Sequence, residues 1–206
     1  PPPRYQATDA RGARAREDYE AFRSARFFEE LVEVVDAWAG DRGIDLRLQA
    51  HGGYADVLDA YAQADVPESE GLYAGGSYDF LRLAASAAEV AGTRYSSSET
   101  LVTVGARELS VEEARLLFGR AFSAGSNRLM LHGHAYPYTH SDGVRWFPFH
   151  PREDSAVSAG PADLSFDLQP DASIWPELPA LNRMATRLGY ALSRGRAEAE
   201  VAWLYP

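Results

Sequence analysis

The sequence predicts an α/β protein, the C-terminal half of a (β/α)8 TIM-type barrel in which parallel strands are backed by outer helices. Helix-type and strand-type periodicities alternate along the chain. The segments joining successive strands run to roughly 15–30 residues, long enough for helical crossovers and too long for hairpins. Polar and titratable residues recur at the C-terminal ends of successive strand segments, where α/β folds collect their chemistry.

Phe28, Leu31, Val32, Val35 and Trp38 keep helical spacing and predict one apolar face on a helix over roughly 14–39, stopped by Gly40 and Gly43. IDLRLQAHG alternates Ile44, Leu46 and Leu48 as a strand does. GGYADVLDAYAQAD reads as a short helix and DVPESEGLY as a second strand. Ser77 is placed to cap a helix carrying Phe80, Leu81, Ala84, Ala87, Ala88 and Ala91, with Gly92 ending it. RYSSSETLVTV is a third strand. Ser110 and Glu113 have capping-box spacing ahead of Ala114, Leu117, Phe118, Ala121 and Phe122, and Gly125 closes that helix. NRLMLHGHAY is a fourth strand, followed by a loop rich in proline, glycine and aromatic residues over about 137–175. A last helix, about 177–194, leads to a final strand in AEVAWLYP.

Four or five strands do not close an eight-stranded barrel, which takes about 250 residues. The alternatives are an open doubly wound sheet or half of a barrel, and the missing initiator methionine favours the half barrel. The expected division is a linker or cut end over 1–13, the C-terminal part of a (β/α)8 catalytic domain over 14–198, and the start of a following domain over 199–206.

Composition narrows the function. The 206 residues are 46% apolar and 12% aromatic, enough for a core of real size. Cysteine is absent, which removes disulfides, thiolate nucleophiles and cysteine-ligated metals. All 20 basic residues are arginine, so Schiff-base, pyridoxal and Walker-lysine chemistry has no residue to use here. A net charge of −10 argues against nucleic-acid binding, which needs a basic face. No window has the roughly 18 apolar residues of a membrane helix.

The strand ends supply the candidate site. They offer Gln49 and His51, then Glu68 and Glu70, then Ser97, Ser98 and Glu99, then His132, His134 and Tyr136. Each has an ordinary structural reading: a solvated loop entry for the glutamates, a hydrogen-bonded core position for the histidines, core cover for Trp146, Phe147 and Phe149 in the long loop. Carboxylates on neighbouring strand ends are also what glycoside hydrolysis uses, one protonating the leaving oxygen and the other activating water or attacking the anomeric carbon. Parallel strands lie about 4.8 Å apart, so Glu99 and Glu70 or Glu68 suit either the inverting or the retaining separation. A further carboxylate nearby would favour a hard cation held by oxygen ligands.

The succession QAHGGYADVLDAYAQADVPESEG, LRLAASAAEVAGTRYSSSET, GSNRLMLHGHAYPY and ALNRMATRLGYALSRGRAEAEVAWLYP resembles the glycoside hydrolase family 106 α-L-rhamnosidases and their close relatives, over about residues 15–206. The resemblance implies a bacterial, secreted or periplasmic multidomain hydrolase with a (β/α)8 catalytic domain. Such an enzyme removes terminal α-L-rhamnose from oligosaccharides or polysaccharides by inversion and with calcium. The family's PE-x-E motif falls on Glu68 and Glu70, and its S-E-[ST] motif on Glu99. Glu99 is the expected general base, Glu70 the second carboxylate and Glu68 its support, with Glu68 and Glu70 as calcium ligands and His51, His132, His134, Tyr136 and Trp146 as sugar contacts. The other domains of the same parent chain are the expected partners, along with the glycan, and an upstream strand could supply the general acid.

Two other readings compete. A carbohydrate-binding or scaffold module would use the same aromatic and polar residues without turnover. A metal-dependent hydrolase is suggested by His132-Gly133-His134, but it needs that pair on the first barrel strand and further histidines at strand ends, and His140 and His150 sit in the loop. A nucleotide-binding sheet lacks both the G-x-G-x-x-G and the P-loop fingerprints.

Overall fold

Asp9 opens the first helix with an extended backbone and a side chain that accepts from the Gly12 N–H, satisfying one of the orphan amides of a first turn. In the computed structural model, which describes residues 9–53, 55–102, 109–132, 168, 170, 172–195 and 198, helix α1 (Ala10–Phe27) continues through a π-helical turn (Phe28–Val32) into α2 (Glu33–Gly40). The helix thus begins before the expected residue 14. Its expected apolar face is only partly used. Val32 and Ala39 are buried and Phe28 packs against the core, whereas Leu31, Val35 and Trp38 are exposed. The buried row after Val32 falls on Ala39, seven residues on and two helical turns away, and not on Val35 or Trp38.

The sheet has four parallel strands: β1 (Arg47–Leu48), β2 (Val66–Glu70), β3 (Ser97–Thr100) and β4 (Arg128–Leu131), hydrogen-bonded in that order. The connections carry α3 (Val57–Gln63), the single turn α4 (Tyr73–Gly76), α5 (Tyr78–Ala91) and α6 (Val111–Ser123). A 3-10 turn (Trp175–Glu177) leads into α7 (Leu178–Leu192). A strand order that never reverses, joined by right-handed crossovers, winds all its helices onto one face. The doubly wound alternative reverses its strand order, so this mixed α/β arrangement is compatible with part of a (β/α) barrel. The final strand expected in AEVAWLYP and most of the 137–175 loop lie outside the described residues.

The helix boundaries have local causes that the sequence carried. Asp56 accepts from the Leu58 and Asp59 amides, Ser77 from Phe80, and Ser110 and Glu113 close a reciprocal capping box. Side chains alternate across each strand, and the register sorts them into two faces. Arg47, Val66, Glu68, Glu70, Ser97, Glu99, Arg128 and Met130 share one face, and Leu48, Pro67, Ser69, Ser98, Thr100, Leu129 and Leu131 share the other. The second face meets the helices. Its middle is lined by serines, and α5 answers with buried Ala84, Ala85, Ala87 and Ala88, small residues that let helix and sheet approach closely. Leucines and phenylalanines fill the flank between β3, β4, α6 and α7, where Leu101, Phe118, Phe122 and Leu181 form one cluster. A second cluster joins Ala50 and Leu48 to Tyr61, Phe80, Leu83 and Ala84.

Two glycines report how tight the outer layer is. At Gly189 in α7 a Cβ would lie 2.6 Å from the Asn127 carbonyl oxygen, just ahead of β4, whereas at Gly119 in α6 it would meet nothing within 4 Å. Gly189→Ala is expected to destabilise by about 1–3 kcal/mol through overpacking against backbone, and Gly119→Ala to stabilise by up to about 1 kcal/mol through helix propensity. Urea unfolding of the two variants measures both; changes of the same sign would contradict this packing.

Candidate active site

The parallel register sets Glu68 opposite Ser97 and Glu70 opposite Glu99. Because all four lie on one face, the chain presents two tiers. The lower tier is Glu68 and Ser97, and the upper tier, at the C-terminal ends of the strands, is Glu70 and Glu99. Just past β1, Gln49 stands level with Glu68 by register and sends its side chain to the upper tier, His51 follows two residues on, and His132 stands just beyond β4.

The lower tier is closed. Glu68 is buried, accepts from the Ser97 hydroxyl at 2.6 Å, and has Arg47 Nε 3.5 Å from the same oxygen. Burial pushes its carboxyl above the ordinary 4.5, and the charge of Glu99 pushes the same way; the Ser97 hydrogen bond, Arg47 and His51 oppose the rise.

The upper tier is more open, with the Glu70 and Glu99 side chains 17% and 24% exposed. Gln49 Nε2 donates to Glu99 Oε2 at 2.6 Å, and His132 Nε2 lies 3.6 Å from Glu99 Oε1. β1 and β3 stand about 9–10 Å apart at two strand spacings, so Gln49 and Glu99 reach toward each other over β2. Glu70 Oε2 lies 3.1 Å from His51 Nε2, and His51 Nδ1 lies 3.2 Å from the Tyr61 hydroxyl. The His51 ring rests against Tyr73, at 4.4 Å between centroids, and edge-on to Phe80 at 5.3 Å. β3 ends abruptly after this tier: Leu101, buried, takes φ +70°, a left-handed conformation costing a non-glycine residue roughly 1–3 kcal/mol.

The structure therefore brings together seven of the residues the sequence singled out: Gln49, His51, Glu68, Glu70, Ser97, Glu99 and His132. His134, Tyr136 and Trp146 lie outside the described residues. The sugar-contact role expected of His51 does not match its surroundings, since both ring nitrogens face protein partners and the side chain is 5% exposed. The expected calcium pair does not fit either. Calcium takes six to eight oxygen ligands, and Glu68 is buried against a serine and an arginine while Glu70 faces a histidine. Among the described residues no group of three or more carboxylates and histidines is arranged to hold a metal ion. Sequence reasoning missed Arg47 and Tyr61. The alternation of Arg47 and Gln49 with Leu46 and Leu48 could have revealed the first, while Tyr61 reads as any apolar helix position.

No protein-family model matches the chain, and no curated protein matches it in sequence. Among solved structures it is similar to a rhamnosidase from Novosphingobium sp. PP1Y, with a TM-score of 0.64 and 15% identity over 87% of this chain and 17% of that one. The likeness at that identity is one of fold, a rhamnosidase-like α/β arrangement. This chain spans under a fifth of the neighbour's length, 17%.

The raised carboxyl of Glu68 has a sign that can be checked. A carboxyl whose folded pKa is raised contributes stability that is complete below the unfolded value, near 4.5, and lost as pH rises through the folded value. Glu68→Gln cannot ionise and still accepts from Ser97. Its stability relative to wild type is therefore expected to improve as pH rises from about 4 through the Glu68 titration to about 8. Unfolding curves across that range measure it; a constant gap would show that Glu68 carries no burial penalty.

Proposed function

We propose that the chain is part of a glycoside hydrolase that removes terminal α-L-rhamnose from oligosaccharides or polysaccharides, of glycoside hydrolase family 106 or a close relative. Glu99 and Glu70 are its paired carboxylates, Glu99 the general base and Glu70 the second carboxylate, with Glu68 in support beneath them. The observation that carries the reading is the placement of Glu70 directly opposite Glu99 on adjacent parallel strands, at the strand ends and partly exposed. Glycosidic cleavage by an oxocarbenium-like transition state needs such a pair, facing one space.

The neighbours of the pair bear on stereochemistry. Backbones about 4.8 Å apart leave the carboxyl separation to the side chains. His51 holds Glu70 from the β1 side and His132 flanks Glu99 from β4, while Gln49 draws Glu99 over β2; inversion, which takes the wider spacing of about 6.5–9.5 Å that admits a water, enters the proposal through the resemblance of the sequence motifs. In this reading Gln49, donating to Glu99 Oε2, holds the base so that its other oxygen faces the attacking water. The likeness in fold to a solved rhamnosidase supports the proposal at the level of architecture. The sugar, the secreted or periplasmic setting and the further domains of the parent chain belong to the proposal through the resemblance of the sequence motifs.

Hydrolysis of an aryl α-L-rhamnoside by the intact polypeptide is the test. Glu99→Gln is expected to lower kcat by about 10²–10⁴-fold, the range for loss of a general acid or base, while rhamnose binding measured by calorimetry stays within a few-fold. The sugar first released should have the opposite anomeric configuration by NMR. Wild-type turnover in Glu99→Gln would remove Glu99 from the chemistry. Binding of rhamnose without turnover by the wild type would replace the hydrolase with a carbohydrate-binding module.

A further inference from the structure

A hydroxyl from the helical layer meets the upper tier at His51. Tyr61, on α3, is fully buried, and its hydroxyl lies 3.2 Å from His51 Nδ1. His51 Nε2 in turn lies 3.1 Å from Glu70 Oε2. The chain Tyr61–His51–Glu70 is enclosed on the imidazole by Tyr73 and Phe80.

The protons in this chain are set by the groups that can donate. A neutral imidazole has one donor nitrogen and one acceptor. Burial, with the nearby charges of Glu68 and Glu70 and the phenol of Tyr73 adding to it, pushes the Tyr61 phenol far above its ordinary 10.0, so Tyr61 is a neutral hydroxyl with a proton to give. If Nδ1 accepts that proton in a hydrogen bond, Nε2 carries the ring's N–H and points it at Glu70 Oε2, which accepts. The opposite tautomer would set the lone pair of Nε2 against a carboxylate oxygen, and only the Tyr61 contact, whose hydroxyl can also accept, would keep a donor.

We propose that Tyr61 is a positioning residue that fixes His51 in the Nε2–H tautomer and thereby holds one oxygen of Glu70, leaving the other as its working atom. The role assigned to Glu70 rests on the hydrolase reading; the tautomer of His51 does not. Tyr61 touches neither substrate nor reacting carboxylate and acts through His51 alone. The aromatic contacts limit the ring to one plane, the Tyr61 hydroxyl engages Nδ1, and Nε2 is left to face Glu70.

Long-range proton–nitrogen NMR of the intact polypeptide, labelled with 15N-histidine and held at pH 8, reads the tautomer directly. Wild-type His51, assigned by its loss in His51→Gln, is expected as the Nε2–H tautomer. Tyr61→Phe, which removes one oxygen and keeps the ring, is expected to give a mixture of tautomers. A wild-type ring that is Nδ1–H or doubly protonated at this pH overturns the proposal without any variant, and so does an unchanged tautomer in a folded Tyr61→Phe. In the rhamnoside assay the same variant is expected to lower kcat by about 10- to 100-fold, the range for residues that orient a working group from behind, with KM within about two-fold. An active enzyme whose kcat is unmoved by Tyr61→Phe overturns the positioning role. Absence of hydrolysis in a wild type with the expected tautomer overturns the hydrolase reading and leaves the relay standing.

Discussion

Two carboxylates stand side by side because β2 and β3 pair in parallel with Glu70 against Glu99. Like unit charges repel by roughly 1 kcal/mol in water and about 4 kcal/mol at the effective dielectric of a protein surface when about 4 Å apart, and by less as they separate. The chain accepts that repulsion, and much of the surrounding architecture offsets it. Gln49 donates to one carboxylate, His51 faces the other, and His132 stands on the far side. Glu68, a tier lower, sits between a serine hydroxyl and an arginine. A slip of one residue in β2 would send Glu68 and Glu70 to the helix side, and one in β3 would send Glu99 there, so the register and the site are one constraint.

The register is kept from the opposite face. Ser69 and Ser98 are fully buried there, and the alanines of α5 lie over them. Larger strand residues would force the helix outward; larger helix residues would do the same. At the N-terminal ends of β3 and β4, Asn127 ties both strands together: its side chain accepts from the Ser96 amide and donates to the Arg94 carbonyl. Gly189 of α7 sits against the Asn127 backbone carbonyl, and Gly125, at φ +102°, leaves room for Ala85 of α5. The outer layer thus fixes the strands from behind, at the end away from the candidate site.

Much of this was legible in the sequence. Turn and cap chemistry is local, so Ser77, Gly92, Ser110 and Glu113 marked their helices correctly. Alternation of helix and strand gave the parallel sheet, because parallel neighbours require crossovers. Legibility ended where position depends on contacts distant along the chain. The π turn at Phe28–Val32 leaves no periodic signature, and the apolar Leu31, Val35 and Trp38 of the predicted face are exposed. VPESE and SSSET look half-solvated by composition, yet β2 and β3 are buried nearly throughout, because small serines against alanines make a tight interface without hydrophobic residues. Tyr61 follows the same logic: its apolar spacing on α3 predicts a core residue, which it is, and only the fold aims its hydroxyl at His51.

The two upper carboxylates end in different surroundings, and that difference matters more than their likeness. Glu70 faces a histidine that is itself buried, stacked and backed by a phenol, so its position is set by the rigid core. Glu99 is served by Gln49, which reaches over β2, and by His132 just past β4, and it stands two residues before the strained Leu101. Pairs of titratable groups acquire separate roles when their environments differ. On the proposed reading, the carboxylate anchored through the core is the one whose orientation toward the sugar must not vary. The more open one is left free to meet a water that comes and goes with each turnover.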